Sequence, residues 1–406
     1  MKDLVKWDLS GLDIAQSREF LVYFNSALRD KESGFVLGNG QAGFEGSTYV
    51  SELSVDTEMQ SGDKRMVTWI VVTDLNGKLI SISAQCPDYT QVVEQELREF
   101  FDAIFVSVIG RRKETFFKRD YFSTISGCNL PGEYWLPTFR LAPLHTDDES
   151  HLINAERTVV IDQNIEAVDK SHANEIATEK ALLYSAYLSF ILDIGLEKPK
   201  HEHRWVLHDR DGLHFAERLS TQLWDTNPPR EMPQKGEICR LAEWKGSILD
   251  TLKPHNRELR CPKETRIILR GIESSDERVK TAILRCCTLY QLGQVVGRYN
   301  PTVRISYECA AVEAITKVLN KEFIGFNDFM GRYYGDNDEL YNLIYQKIRS
   351  AHWHAGELRF GEHDSGWDFI GGLQRHITHN TLLSSHLALR SAAVNWLLEV
   401  LEISEQ

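Results

Sequence analysis

LYNLIYQKIRSAHWHAG, residues Leu340–Gly356, is the stretch whose reading decides the fold. Leu340, Ile344 and Ile348 recur every four residues with Leu343 and Ala351 beside them, which predicts a helix with one buried face. Asp336 and Asp338 precede it as N-cap candidates, and Gly356 follows as a stop. Near its end stand Arg349 and His354. A guanidinium presents a fixed fork of donors to phosphate oxygens, and an imidazole gives or takes a proton near neutrality. These residue types suit phosphate chemistry, in side chains expected to face a wet cleft. Positions five apart lie about 140° around a straight helix, whereas His352 lies about 60° from Arg349. Convergence of Arg349 and His354 therefore requires the helix to end or distort near Trp353, or a second chain to contribute. The same pattern also describes an amphipathic helix whose polar face happens to carry Arg and His.

Working outward, Ser274-x-x-Glu277 reads as a capping box opening a helix that runs to about Arg298. Asn300-Pro301 starts a second helix, proline at its first position, with Ile305, Cys309, Val312, Ile315 and Leu319 on the apolar face and Glu313 beside it. The Arg349 helix is third. After the glycine-rich 356–372, a long fourth helix over Leu373–Leu401 buries Leu383, Leu387, Val394, Leu397 and Leu401. Four such helices predict a bundle over 271–406. Six of the 14 histidines fall between His352 and His386. On the last helix His379, His386 and Arg390 share a stripe with His376 nearby. That stripe suits either the lining of an RNA groove near Arg349 or a half-exposed face packed on the glycine-rich loop.

IRSAHWHAG resembles the Arg-x4–6-His signature of the HEPN superfamily, in particular its Apea-like branch, and RISYECAAVEAI (Arg304–Ile315) resembles that branch's helix with a central acidic residue, here Glu313. The resemblance covers about the last third of the chain. Trp353-His354-Ala355-Gly356 departs from the usual His-Gly, and His352 is an additional candidate. The resemblance implies a metal-independent endoribonuclease that cuts RNA by 2′-OH transesterification, without cofactor. Arg349 and His354 are then catalytic, and Glu313, Ser350 and His352 support them. Lys347, Arg375, His376, His379, His386 and Arg390 become candidate RNA contacts. It also implies a homodimer or higher homo-oligomer through the bundle, and a toxin or anti-phage effector role in which residues 1–270 sense a phage-derived or cellular trigger.

The chain has 406 residues with ordinary globular composition, 42% hydrophobic and 26% charged. Length predicts two or three domains, taken as an α+β domain over 1–150, a strand-helix-strand unit over 151–270 and the helical bundle over 271–406. The fold class expected is α+β, a mixed N-terminal region followed by an all-α bundle. MKDLVKWDLSG lacks an apolar signal core, and the most apolar run, Ala181–Leu192, is too short for a membrane span. Seven cysteines without a C-x-x-C read as reduced buried thiols in a cytoplasmic protein. The net charge of −13 argues against indiscriminate coating of nucleic acid, so any nucleic-acid site must be a local patch.

Arg18–Leu28 and Val93–Ile104 read as helices, and Met66–Thr73 with Lys78–Ser83 as strands around an Asn76-Gly77 turn. Gly38–Gly43 matches G-x-G-x-x-G, but the next residues, Phe44–Val55, are strand-like, so a glycine-rich turn is the preferred reading over a nucleotide site. Arg111, Arg112, Lys113, Lys118 and Arg119 interleave with Phe116, Phe117, Tyr121 and Phe122. That pattern suits either RNA contacts or an edge strand with a solvated polar face. Residues 140–157 read as a linker, Thr158–Ile161 as a strand and Ser171–Asp193 as a helix. His201, His203 and His208, with Asp209 and Asp211, suit a metal site or a hairpin. Two rivals to the nuclease stand beside it: a non-catalytic HEPN module for RNA binding or assembly, and a metal-dependent phosphoesterase built on those histidines.

Overall fold

The structure is a computed structural model. It describes residues 5–30, 42–58, 64–87, 90–110, 113–124, 130–144, 152–153, 157–167, 169–198, 203–210, 213–220, 228–239, 241–242, 259–297, 300–319, 322–323, 325–360, 362 and 371–403. It divides into two compact units, 1–115 with 166–173, and 116–165 with 174–406.

In the first unit, β1 (Val5–Asp8), β2 (Ala42–Glu45), β3 (Thr48–Glu58), β4 (Lys64–Asp74) and β5 (Leu79–Gln85) form an antiparallel sheet of order β1-β5-β4-β3-β2. The Asn76-Gly77 turn joins β4 and β5 as the sequence predicts. Asp74 carries it: its carboxylate accepts the N–H groups of Asn76 and Lys78, both at 2.8 Å, and Gly77 takes φ +81°, open to glycine without strain. Helices α1 (Ile14–Asp30) and α2 (Gln91–Gly110) bury Phe20, Phe24, Leu97 and Phe101 in one core with Val67, Trp69 and Ile82. Each such side chain contributes about 1.5–3 kcal/mol relative to exposure. Residues 31–41, with the start of the glycine-rich motif, lie outside the described residues; Phe44–Glu45 and Thr48–Val55 are strand, as expected, while Ala42 and Gly43 of the motif belong to β2 rather than to a turn.

The second unit is built on β6 (Glu114–Thr124), β7 (Tyr134–Trp135), β8 (Arg140–Pro143), β9 (Leu152–Ile153), β10 (Arg157–Ala167), helix α3 (Lys170–Leu192) and β11 (Leu196–Glu197). Four of these strands join β6 in the order β11-β6-β10-β8-β7. Residues 140–143, expected as linker, are instead a strand whose register pairs Arg140 with Asp162 and Pro143 with Val159. Nor is β6 an edge. Its Arg119 donates to both oxygens of the fully buried Asp162 (2.7 and 2.9 Å), which also takes Arg140 at 2.5 Å. Arg140 in turn reaches Glu133, which accepts the Trp135 indole N–H and the Gly236 N–H. Burial would raise the Glu133 carboxyl, but these donors outweigh it and hold it down to about 2. Arg119, a candidate cation for phosphate, is thus spent on a neighbouring carboxylate. The hairpin β12 (His203–Arg210) and β13 (Leu213–Ser220) pairs as expected, β9 joining β12, and β14 (Leu241–Ala242) runs parallel to β15 (Cys261–Pro262).

The C-terminal helices are α4 (Thr265–Ser274), α5 (Glu277–Val296), α6 (Pro301–Val318), α7 (Phe326–Tyr333), a composite α8 and α9 (Gly371–Val400). α8 runs as Asp338–Asn342, a π-helical Leu343–Ser350, and Ala351–Ala355. Ser274 ends α4 rather than opening a helix, its hydroxyl bonded to the Gly271 carbonyl; the α5 cap is Asp276, which accepts from the N–H of Arg278 and Val279. Pro301 does begin α6. Gly297 permits the close α5–α6 turn, since a Cβ there would sit 2.3 Å from that of Arg304. One core runs without a break from Phe122, Leu141 and Ile161 of the sheet through Leu188 and Phe190 of α3 to Ile305, Ile348 and Leu397 of the bundle. Buried residues of 122–141 therefore share one core with the bundle. Among the described residues no helix is long and apolar enough to cross a membrane. The described cysteines are free and buried.

Candidate functional site

α8 is placed by its apolar face: Tyr341, Ile344 and Ile348 are fully buried. Its cap is Asn337, between the two aspartates expected in that role, and its side chain accepts the Leu340 N–H at 3.1 Å. The distortion anticipated near Trp353 occurs earlier. The i→i+5 bonding of Leu343–Ser350 widens the helix through Tyr345 and Arg349, and such π segments often mark functional positions. The helix then returns to α winding and stops at Gly356, whose left-handed φ of +69° lets its N–H reach the His352 carbonyl at 2.9 Å.

Arg349 does not face an open cleft. Its side chain is 18% exposed, and Nη2 lies 2.7 Å from Oε2 of Glu313, itself buried on α6. The guanidinium sits over the Tyr345 ring at 5.2 Å, and the Tyr345 hydroxyl donates to Glu313 Oε1 at 3.2 Å. Burial, then the Glu313 charge, raises the Tyr345 phenol. The ion pair is close but poorly aligned: Arg349 Nε and Glu313 Oε2 are both buried without a hydrogen-bond partner.

His354 is exposed on the last turn and has no hydrogen-bond or ion-pair partner among the described residues. Within one chain it does not meet Arg349. His352 is half-buried, its Nδ1 3.4 Å from the Glu357 carbonyl, and Ser350 is half-buried at the end of the π segment. Trp353, 46% exposed, rests edge-on against Tyr307 at 5.4 Å, and Lys347 is exposed. Beside Tyr345 opens a groove of about 400 Å³ lined by Phe326, Asn327, Asn342 and Gln346 among others. Sequence reasoning missed Tyr345 and this groove; the Tyr345–Arg349 spacing of four, one helical turn, was the available signal.

His386 and Arg390 are not groove-lining residues. His386 is buried, with Nδ1 2.9 Å from Glu308 Oε2 and Nε2 3.3 Å from Asp193 Oδ2. Arg304 Nε and the Gln294 amide donate to Glu308 Oε1 at 2.9 and 3.0 Å, and Tyr290 donates to Asp193 at 2.5 Å. Arg390 lies 3.5 Å from Asp193 and donates to the Phe190 and Ile191 carbonyls. A carboxylate at each ring nitrogen favours the protonated ring of His386, and Arg304, 3.1 Å from Nδ1, opposes it. Burial pulls its pKa down, but Glu308 and Asp193 outweigh it and the net shift is upward. Asp193 and Glu308 are raised by burial and lowered further by His386 and the arginines. This cluster ties the end of α3 to α5, α6 and α9, because a buried charge must be paired.

Arg375, His376 and His379 lie on α9. In the first unit Lys113 pairs with Glu19 at 3.0 Å; Arg111 and Arg112 lie outside the described residues. His201 is likewise outside them, while His203 and His208 are in β12. No family model, curated protein or solved structure matches this chain.

Proposed function

We propose that the second unit is a HEPN-type endoribonuclease acting without a metal, with Arg349 and His354 as its catalytic pair. The observation that carries this reading is the guanidinium of Arg349, held by Glu313 and the Tyr345 ring on the same helix that ends in the exposed His354. The motif IRSAHWHAG supports it by resemblance. The RNA 2′-OH attacks the adjacent phosphate, forming a 2′-O–P bond as the P–O5′ bond breaks. His354 takes the 2′-OH proton or supplies one to the departing 5′ oxygen. Arg349 stabilises the added negative charge on the phosphate oxygens. The products are a 2′,3′-cyclic phosphate and a 5′-hydroxyl.

Two proton transfers call for a second group besides the exposed His354, which favours a homodimer in which the second copy brings its own His354. α5 exposes Leu284, Leu292 and Val296, apolar side chains available to such an isologous contact. The first unit would then sense or restrain, in a toxin or anti-phage effector. One observation favours a non-catalytic RNA-binding module instead: Arg349 is already partly neutralised by Glu313. The deciding experiment incubates the protein with RNA and with its 2′-deoxy counterpart in excess EDTA. Cleavage of RNA alone, leaving cyclic phosphate ends, supports the nuclease. Loss of cleavage in EDTA, or cutting of the deoxy strand, transfers the case to the metal-dependent phosphoesterase.

A further inference from the structure

Tyr345 faces two things at once. Its ring lies 5.2 Å below the Arg349 guanidinium, and it forms part of the wall of the groove of about 400 Å³. The Phe326 ring stands 5.2 Å from it at a tilt of 32°, so the groove has an aromatic flank. Around its mouth are three carboxamides: Asn327 at the start of α7, and Asn342 and Gln346 on successive turns of α8, all exposed. Aromatic faces stack on any nucleobase, and carboxamides pair with base edges by donating and accepting together.

We infer that this groove holds the base of the nucleotide next to the phosphate at Arg349, and that it prefers adenine. This rests on the nuclease reading above. The separation fits, since the wall of the groove is the ring that supports the guanidinium. The preference has a chemical basis: an Asn or Gln amide accepts from adenine N6 and donates to N7 together, a donor–acceptor pair on the N7 edge that pyrimidines do not have. Flat aromatic flanks add affinity without selecting among bases.

The test uses the full chain and four RNA oligonucleotides differing only in the base on either side of the cut. Adenine should raise kcat/KM by roughly 5- to 150-fold over a pyrimidine at one of the two positions. In Asn342→Ala/Gln346→Ala the four substrates should come within about twofold of one another. Gln346→Glu, an isosteric change at an exposed site, removes the amide donor to N7 and should move the preference toward cytosine, whose N4 amino group donates to a carboxylate. Circular dichroism checks that each variant is folded. If RNA is cut with equal rates for all four bases, or the preference survives both variants, the groove assignment is overturned while the nuclease stands. If no RNA is cut, titration of His354→Ala protein with adenosine monophosphate decides. Binding that disappears on adding the Asn342 and Gln346 changes keeps the nucleotide site and removes the nuclease; no binding removes both.

Discussion

Two glutamates five positions apart on α6, Glu308 and Glu313, meet opposite surroundings. Around Glu308 both oxygens are bonded, by His386, Arg304 and Gln294, and the cluster extends to Asp193, Tyr290 and Arg390. Glu313 meets one phenol and one misaligned guanidinium. A nearly closed ionic cluster has little left to offer a ligand, so its energy goes into fixing helices against one another. An open one keeps donors for something that arrives. Residue type alone does not separate the two, because each pairs a glutamate with an arginine.

The largest expected effect falls on the open site. His354→Ala should cut RNA cleavage by about 10²- to 10⁴-fold, the usual range for a general acid or base, with the melting temperature unchanged because the ring is exposed. A variant that melts early as it loses activity would mean that the histidine is structural. At the closed site, Glu308→Ala leaves His386 and Arg304 facing each other without their carboxylate. It should cost about 3–5 kcal/mol in urea unfolding, the range for breaking a buried pair. A loss under about 1 kcal/mol would show the cluster to be solvated, at the scale of exposed pairs.

Arg349→Ala probes the boundary between the two behaviours. It should lower cleavage by roughly 10²- to 10³-fold, as loss of an oxyanion donor does. It should also destabilise the fold, since Glu313 is left buried and charged. Adding Glu313→Gln should restore stability without restoring activity; recovery of both would make Arg349 a packing residue. His352→Ala should be the mildest, under about 1 kcal/mol, because its contact to Glu357 is long.

pH separates the clusters differently. His386 has a raised pKa, so its contribution is complete below its ordinary 6.5 and fades as pH climbs through the raised folded value. Asp193 and Glu308 are lowered, so theirs is complete above the ordinary carboxylate values of 3.8 and 4.5 and is lost as pH falls through the lowered ones. Thermal stability should therefore plateau between about 4.5 and 6.5 and decline on both sides. In His386→Gln the alkaline decline should disappear; its persistence would assign it to another group.

The sequence by itself determined what local physics controls. Period-four apolar residues marked α6, α8 and α9 to within a few positions, Asn76-Gly77 set the β4–β5 turn, and Pro301 opened α6. Arg349, Glu313 and His354 were legible as candidates because their spacing falls on two neighbouring helices. Tertiary structure decided the rest. Ser274 reads as a cap, yet α4 runs on through it and Asp276 caps α5 instead. Residues 140–143 look like linker until β10, arriving about twenty residues later, supplies their ladder partners. His386 and Arg390 form a helical stripe whether they face RNA or a carboxylate. The deciding partner is Asp193, nearly two hundred residues away in sequence, turned inward at the end of α3 with φ of +55°. Such pairings depend on which surfaces the core brings together, and burial then converts an ordinary polar residue into a charge that must be answered.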